Sequence, residues 1–113
     1  IVNFPNDVTA IGERAFYGCE NIKQINIPST VASIGRKAFR KCKALVKIKI
    51  PDSVILIPKK AFSQCEALIE IDMPKVITIE SRAFDKCIKL KKIKCSVTNV
   101  AEDAFSSCNS FKF

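Results

Sequence analysis

Glu70 and Asp72 are the two side chains of this 113-residue chain whose type and spacing best fit catalysis. They lie two positions apart in a segment where apolar and polar residues alternate, so a β-strand would present both carboxylates on one face. Paired carboxylates act as acid, base or nucleophile in glycoside hydrolysis. The chain has no histidine, the usual general base, and its three glycines form no phosphate-binding loop. These absences argue against an enzyme.

Six cysteines are the second set of reactive side chains. The chain has no C-x-x-C pair and no histidine, so neither their spacing nor the available ligands suit a zinc site. We predict no metal and no other cofactor. Cys95 stands alone, whereas the other five recur at intervals of 21 to 23 residues. These five are Cys19, Cys42, Cys65, Cys87 and Cys108.

The recurring cysteines close a phrase that occurs five times and divides the chain into units. In one unit the phrase reads V-A-S-I-G-R-K-A-F-R-K-C at residues 31–42, and L-V-K-I-K-I-P follows at 45–51. The Ile-x-Ile alternation predicts a strand that the proline ends, because proline lacks the N–H that a sheet ladder requires. The Val-x-x-Ile segment predicts a second extended piece, and Ala-Phe-x-x-Cys predicts one helical or 3₁₀ turn. Units one to five begin at residues 8, 31, 54, 76 and 97.

A period of this length predicts a stack of units that each contact mainly their neighbours. Equivalent residues would form columns with a spacing of about 4.7–4.9 Å and parallel Cβ directions, a poor geometry for disulfides. We expect the cysteine column to be reduced and buried, and Cys95 to be buried as well. The phenylalanine column would be a core spine rather than a platform for nucleic-acid bases. Its members are Phe16, Phe39, Phe62, Phe84 and Phe105.

The combined pattern L-x-x-I-x-I-P-x-S-V-x-x-I-G-x-x-A-F-x-x-C resembles the BspA-like, or Treponema-pallidum-type, class of leucine-rich repeat. The resemblance covers essentially all 113 residues. It implies a leucine-rich-repeat solenoid of about five repeats, with short parallel β-strands on the concave side. Short extended segments and 3₁₀ or helical turns would form the convex side. It also implies adhesion to proteins or cells, and it favours a cell-surface location over a cytoplasmic one.

The repeat changes the interpretation of the two carboxylates. At both aligned positions, the strand before them and the strand after them carry lysine. These lysines are Lys47, Lys49, Lys92 and Lys94. Opposite charges on adjacent strands stabilise a sheet by a few tenths of a kcal/mol up to about 1 kcal/mol per pair. We therefore predict cross-strand ion pairs at Glu70 and Asp72 rather than catalysis.

The formal net charge of +8 is unevenly placed, since unit two carries +6 and unit four +4 whereas units one and three sum to zero. Such an excess is either a solvated face or a patch for a polyanion. A glycosaminoglycan, an acidic lipid or an acidic protein would fit; nucleic acid fits least, because no free aromatics alternate with the cations. The residues of this alternative patch are Arg36, Lys37, Arg40, Lys41, Lys43, Arg82, Lys86, Lys89 and Lys91.

The function that this pattern favours is a protein-binding module that uses the concave face. Polyanion binding through the convex turns is the first alternative. The second is a structural spacer or assembly repeat that associates head to tail through its open edges. The candidate contacts of the concave face are Asn3, Gln24, Asn26, Lys47, Lys49, Glu70, Asp72, Lys92 and Lys94.

The domain organisation predicted from the sequence is one leucine-rich-repeat domain over residues 1–113. Neither end looks like a polar capping unit, and Phe111–Phe113 align with the start of another strand, so we expect a fragment of a longer array. No apolar run approaches the roughly 20 residues of a transmembrane helix.

Overall fold

Ten short β-strands and no helix occur in residues 2–109, the part of the chain that the computed structural model describes. The strands are β1 (Val2–Asn3), β2 (Ala10–Ile11), β3 (Ile25–Asn26), β4 (Ser33–Ile34), β5 (Lys47–Lys49), β6 (Leu56–Ile57), β7 (Glu70–Met73), β8 (Thr78–Ile79), β9 (Lys92–Cys95) and β10 (Asn99–Val100). Within this range no helix is long and apolar enough to cross a membrane. The strand start predicted at Phe111–Phe113 lies outside the described residues.

All strand pairs are parallel, and the repeat sets their register. The Ile-x-Ile strands pair as β1 with β3 and as a sheet of β5, β7 and β9. The Val-x-x-Ile strands pair as β2 with β4 and as a sheet of β6, β8 and β10. Ile48, Ile71 and Ile93 are register partners, as their equivalent sequence positions predict. The predicted solenoid with short parallel strands and short second extended segments is therefore confirmed.

The turn around Ala-Phe differs from the helical or 3₁₀ turn that the spacing predicted. In unit two, the N–H groups of Ala38 and Arg40 donate to carbonyls three residues earlier, both at 3.2 Å. The N–H groups of Phe39 and Lys41 donate instead to carbonyls of unit three, both at 2.8 Å. A helical turn would direct all of its N–H groups along its own chain. Here alternate N–H groups bind the next unit, so the turns are stacked by their own set of hydrogen bonds.

This alternation requires left-handed backbone at two positions of each turn in units one to four, two residues before and two residues after the phenylalanine. The φ angles of these residues, together with one in unit five, lie between 55° and 71°. A left-handed residue other than glycine costs roughly 1–2 kcal/mol, because its Cβ approaches the following carbonyl oxygen. Only one of the nine is glycine, and six are lysine or arginine. The nine are Arg14, Gly18, Lys37, Lys41, Lys60, Gln64, Arg82, Lys86 and Ser107.

The phenylalanine column forms the core spine that the repeat predicted. From Phe16 to Phe105, successive ring centres are 5.1–5.4 Å apart and the ring planes differ by 2–5°. The three middle rings are buried, and Phe16 and Phe105 are partly buried because they belong to the outer units one and five. The same layer contains the buried leucines Leu45, Leu68 and Leu90.

The cysteine column lies beside this spine, and its thiols act as hydrogen-bond donors. Cys42, Cys65, Cys87 and Cys108 each donate from Sγ to the phenylalanine carbonyl of the preceding unit, at 2.9–3.1 Å. All six cysteines are unpaired. The middle three are buried, and burial raises the pKa of the Cys42 thiol to about 12.

The prediction that every cysteine is buried is wrong for three of the six. Cys19 and Cys108 are partly exposed because they belong to the outer units one and five. Cys95 is also partly exposed, because it lies on β9, the last strand of its sheet, where no further described strand covers it.

Candidate functional site

A groove of about 600 Å³ lies on the concave side of the solenoid, on the face formed by the Ile-x-Ile strands. Its walls come from β3, β5 and β7 together with the turns that follow β3 and β5. Six of the nine candidate contacts line it, and the structure therefore brings most of that set together. These six are Gln24, Asn26, Lys47, Lys49, Glu70 and Asp72.

Strand alternation explains why these side chains reach the groove. On β5, Ile48 is buried in the core, so Lys47 and Lys49 on either side of it are exposed. On β7, Ile71 is buried and both carboxylates are half-buried, because a strand lies on each side of them. The remaining candidates lie on the strands at either end of the face: Asn3 on β1, and Lys92 and Lys94 on β9.

The groove has a neutral part and a charged part. Towards β1, the Nδ2 group of Asn26 donates to Oδ1 of Asn3 at 3.0 Å, so two amides replace charges there. Towards β9, one row consists of Lys47, Glu70 and Lys92 as register partners, and the neighbouring row of Lys49, Asp72 and Lys94. Cations and anions thus alternate along both rows, as the repeat predicted.

The predicted ion pairs along these rows do not form. The only ion pairs among residues 2–109 are Arg14–Glu13 and Arg82–Asp103. None of the four lysines therefore lies within 4 Å of either carboxylate. An exposed lysine gains little from such a contact, since ordering a long side chain offsets a weak attraction in water. The predicted strand register is therefore confirmed, whereas the prediction of ion pairs across it is wrong. The rows present alternating charges that the protein itself does not neutralise by contact.

In the described range no group of three cysteine, aspartate or glutamate side chains is placed to hold a metal ion. Glu70 and Asp72 share the groove with Lys47 and Lys49 of β5, and Lys92 and Lys94 of β9 are their register partners on the other side. The arrangement suits the recognition of a charged surface.

The nine residues of the alternative basic patch come from two parts of the repeat. Six of them lie on the convex turns that flank the phenylalanine column. The other three follow the cysteine column on the path to the concave strands. These three are Lys43, Lys89 and Lys91.

Two cations of this surface, Lys59 and Lys60 in unit three, were not among the residues predicted from the sequence. The charges of Arg40, Lys37, Arg82 and Lys59 all act on Lys60. Summing charge by unit concealed the contribution of unit three, because its acidic residues lie elsewhere in the unit. Reading charge by column would have found it, since Arg14, Lys37, Lys60 and Arg82 hold the same position in consecutive units.

Tyr17 also has a role that the sequence did not indicate. The guanidinium carbon of Arg40 lies 5.9 Å from the centre of its ring, and Nζ of Lys41 lies 5.8 Å from it. Both distances fit cation–π contacts. The ring thus orders two cations of unit two from the neighbouring unit.

The fold and the repeated phrase define a leucine-rich-repeat solenoid. A family model for the BspA-type leucine-rich-repeat region matches residues 1–112 in six copies, one more than the five complete phrases. The chain belongs to this family. None of the curated protein sequences compared with it matches.

Solved structures of bacterial repeat proteins resemble the solenoid closely. A leucine-rich cell surface protein from Faecalibacterium prausnitzii is 34% identical, with a TM-score of 0.92 over 97% of this chain and 30% of that protein. The Treponema pallidum leucine-rich-repeat protein is 30% identical, with a TM-score of 0.87 over 95% of this chain and 54% of that protein. One from Bacteroides ovatus is 31% identical, with a TM-score of 0.75 over 95% and 37%. The chain thus spans between about a third and about half of these relatives.

Proposed function

We propose that the concave face of this solenoid binds another protein. The observation that carries the proposal is the pair of rows in which lysine and carboxylate side chains alternate in register and yet make no ion pair with one another. Unpaired charges at fixed spacing on a rigid sheet favour a partner whose charges are arranged in the complementary order. Such complementarity mainly gives specificity and fast association.

The comparisons support a binding module of this kind. The chain belongs to a repeat family that occurs in bacterial surface proteins, and the relative from Faecalibacterium prausnitzii is itself a cell surface protein. Repeat stacks of this type are typically non-catalytic and present extended concave surfaces to their ligands. A cell-surface location and an adhesive function of the parent protein belong to the same proposal, since the chain matches only a part of each relative.

The shape and charge of the groove define the partner. The charged part would accept a surface with acidic groups opposite Lys47 and Lys49 and with basic groups opposite Glu70 and Asp72. The amides of Asn3 and Asn26 would add neutral hydrogen bonds at the other end of the face. An alternation of this kind selects against a uniformly acidic ligand, because the central carboxylates would repel it.

The proposal is tested by reversing the charge of one strand. A panel of purified extracellular matrix and serum proteins is screened by biolayer interferometry against the wild type and against Lys47→Glu/Lys49→Glu. The control is Lys89→Glu/Lys91→Glu, which makes the same charge change at exposed positions outside the groove. We expect a bound protein to lose at least 10-fold in affinity with the first variant and to bind the control as it binds the wild type.

Stability must be measured in parallel, because the two glutamates introduced on β5 would lie beside the two carboxylates of β7 and weaken the sheet. A loss of binding counts only for a variant that still unfolds cooperatively. Every ligand binding the reversed variant as tightly as the wild type would refute the concave site. If no protein binds and the chain associates end to end in sedimentation, the assembly-repeat alternative is supported instead.

A further inference from the structure

Six cations lie on the convex turns of units two and three, and none of them lines the concave groove. We call these side chains the basic turn patch. It consists of Arg36, Lys37, Arg40, Lys41, Lys59 and Lys60. Successive turns are joined by backbone hydrogen bonds of 2.8–3.1 Å between units two and three, so the positions of these cations are fixed by the stack.

The basic turn patch has no acidic partner within the described residues. The ion pairs found there lie at its two ends: Arg14 with Glu13 at 3.8 Å in unit one, and Arg82 with Asp103 at 3.6 Å across units four and five. Asp85 shares a column with Arg40, but Ser63 separates them in that column. Negative charge therefore flanks the row of cations and is missing from its centre.

The cations of the patch are crowded as well as unpaired. Partial burial, and then the charges of Arg40, Lys37, Arg82 and Lys59, lower the pKa of Lys60. The Nε atom of Arg40 is buried, and no hydrogen-bond partner for it occurs in residues 2–109. Charge repulsion and an unsatisfied donor are both unfavourable for the isolated protein. An anion bound at the surface would relieve the charge repulsion.

The backbone holds three of these cations in an unfavourable conformation. Lys37, Lys41 and Lys60 occupy left-handed positions with φ of 58–61°. Glycine would adopt this conformation without strain, as Gly18 does in unit one. These lysines therefore lower the stability of the fold in two ways, through their backbone conformation and through the repulsion between their charges. The same conformation occurs at Gln64 and Ser107 and is therefore a feature of the repeat; what distinguishes the patch is that cations fill these positions.

We infer that the basic turn patch binds a linear sulfated polysaccharide that lies along the stacking direction of the solenoid. Equivalent positions recur at about 4.7–4.9 Å, so the row Arg14, Lys37, Lys60 and Arg82 spans about 15 Å. A straight row of evenly spaced cations complements a chain that carries sulfate groups at regular intervals. Nucleic acid fits less well, because the ring of Tyr17 beside the row already contacts Arg40 and Lys41 and is not available to stack on bases.

A matched pair of variants tests this inference, with a heparin octasaccharide as the probe. One variant replaces Lys37, Arg40, Lys59 and Lys60 with glutamine. The control replaces Lys23, Lys75, Lys89 and Lys91 with glutamine, and so removes the same charge from exposed positions outside the patch and the groove. Affinity is measured by calorimetry over a series of salt concentrations, and folding is checked by thermal unfolding.

We expect the patch variant to lose at least 10-fold in affinity and to show a shallower dependence of log K on log salt, since fewer counterions are released. The control should stay within about 3-fold of the wild type, because long-range charge alone is screened by salt. Equal losses in both variants would overturn the inference, because net charge would then explain the binding. Tighter binding of a single-stranded oligonucleotide of equal charge, or of anionic lipid vesicles, would overturn the assignment to a polysaccharide.

A single substitution separates binding from structure. Lys60→Gln removes a crowded charge, so we expect unfolding at the same temperature as the wild type or higher, together with weaker heparin binding. A lower unfolding temperature together with unchanged binding would show that Lys60 is a structural residue and would contradict its place in the site. The result does not depend on the concave face, whose protein binding is measured separately.

Discussion

The concave strands and the convex turns of this solenoid arrange charge in opposite ways on the same repeat. On the concave face, charge alternates in sign from unit to unit, as in the row Lys47, Glu70 and Lys92. On the convex turns, one column keeps the same sign over four units, through Arg14, Lys37, Lys60 and Arg82, and Asp103 follows in unit five. Stacking brings equivalent positions within about 5 Å of one another. The residue type at one position of each unit therefore decides whether a column has mixed or uniformly positive charge.

The two regions also differ in how their backbone accommodates the charged residues. Strand lysines such as Lys47 alternate with buried isoleucines in ordinary extended backbone. On the turns, six lysine or arginine residues have positive φ, a conformation that glycine would adopt more easily. The concave charges thus add little strain, whereas the convex charges lower the stability of the stack that carries them.

Removing the support that both surfaces share should have the largest effect. Phe62→Ala deletes a fully buried ring from the centre of the spine, and we expect a loss of about 3–5 kcal/mol in the free energy of unfolding, because a cavity remains. Phe105→Ala should cost less, since its ring is only partly buried. Chemical denaturation of both variants checks the order, and equal losses would be incompatible with a stack whose outer units are less buried.

The thiol column gives the spine a predictable dependence on alkaline pH. Burial raises the pKa of Cys42 from 9.0 to about 12, so its stabilising effect is complete below pH 9 and is lost as the pH rises towards 12. The unfolded chain releases the thiol proton first over this range, which favours unfolding. Wild type and Cys42→Val should therefore lose stability at different rates above pH 9.

Chemical denaturation of both proteins between pH 8 and pH 11 measures that difference. If stability falls equally fast with pH in both, the Cys42 thiol does not cause the pH dependence.

Labelling of thiols in the native protein tests their burial separately. Cys42, Cys65 and Cys87 should react slowly, and the partly exposed Cys19, Cys95 and Cys108 faster.

The difference in backbone strain between the two regions can be tested directly on the convex side. Lys41→Gly should stabilise the protein by about 1 kcal/mol, because glycine removes the left-handed strain at φ 61°. Arg36→Gly removes the same charge at a neighbouring position without positive φ, and it should destabilise by roughly 0.5–1 kcal/mol through the entropy of glycine. Thermal unfolding of the two variants shows whether each is more or less stable than the wild type. If both change in the same direction, the loss of charge rather than the backbone conformation dominates.

The smallest expected effect lies on the concave face. A double-mutant cycle of Lys47→Ala and Glu70→Ala should give a coupling energy below about 0.5 kcal/mol, because the two side chains are register partners without an ion pair. A coupling above about 1 kcal/mol would show that the rows neutralise themselves. The contrast between the two surfaces would then be much weaker.

Particular residues show which features the sequence could predict. The stack of Phe39 on Phe62, and the register of Ile48 with Ile71, follow from a fixed period because parallel units must superimpose. The turn around Lys37 could not be predicted in the same way, since lysine gives no signal for left-handed backbone. Equally, column alignment predicts which charges are neighbours, but the orientation of long, solvated side chains decides whether they touch.

The candidate sites were predictable to different extents. The alternation of β5 and β7 correctly placed Lys49 and Asp72 on one surface, because strand period two leaves no choice once Ile48 is buried. The contribution of Lys60 to the convex surface was missed, because unit three sums to zero charge. In a solenoid, residues at equivalent positions of successive units are neighbours in space. A sum of charge over each unit mixes several of these positions and hides a single basic column.

The alternating N–H groups give the convex turns an electrical polarity. From unit one to unit five, every turn bond between units runs from an N–H of the earlier unit to a carbonyl of the later one. These peptide dipoles add up along the stacking axis, as they do along the axis of an α-helix, with the positive end towards unit five. Asp103 stands at that end, where hydrogen bonds from Ser81 and from the backbone of Arg82 lower the pKa of its carboxyl. The convex side thus behaves as a helix dipole built across the chain, and it places an anion where the dipole is most positive.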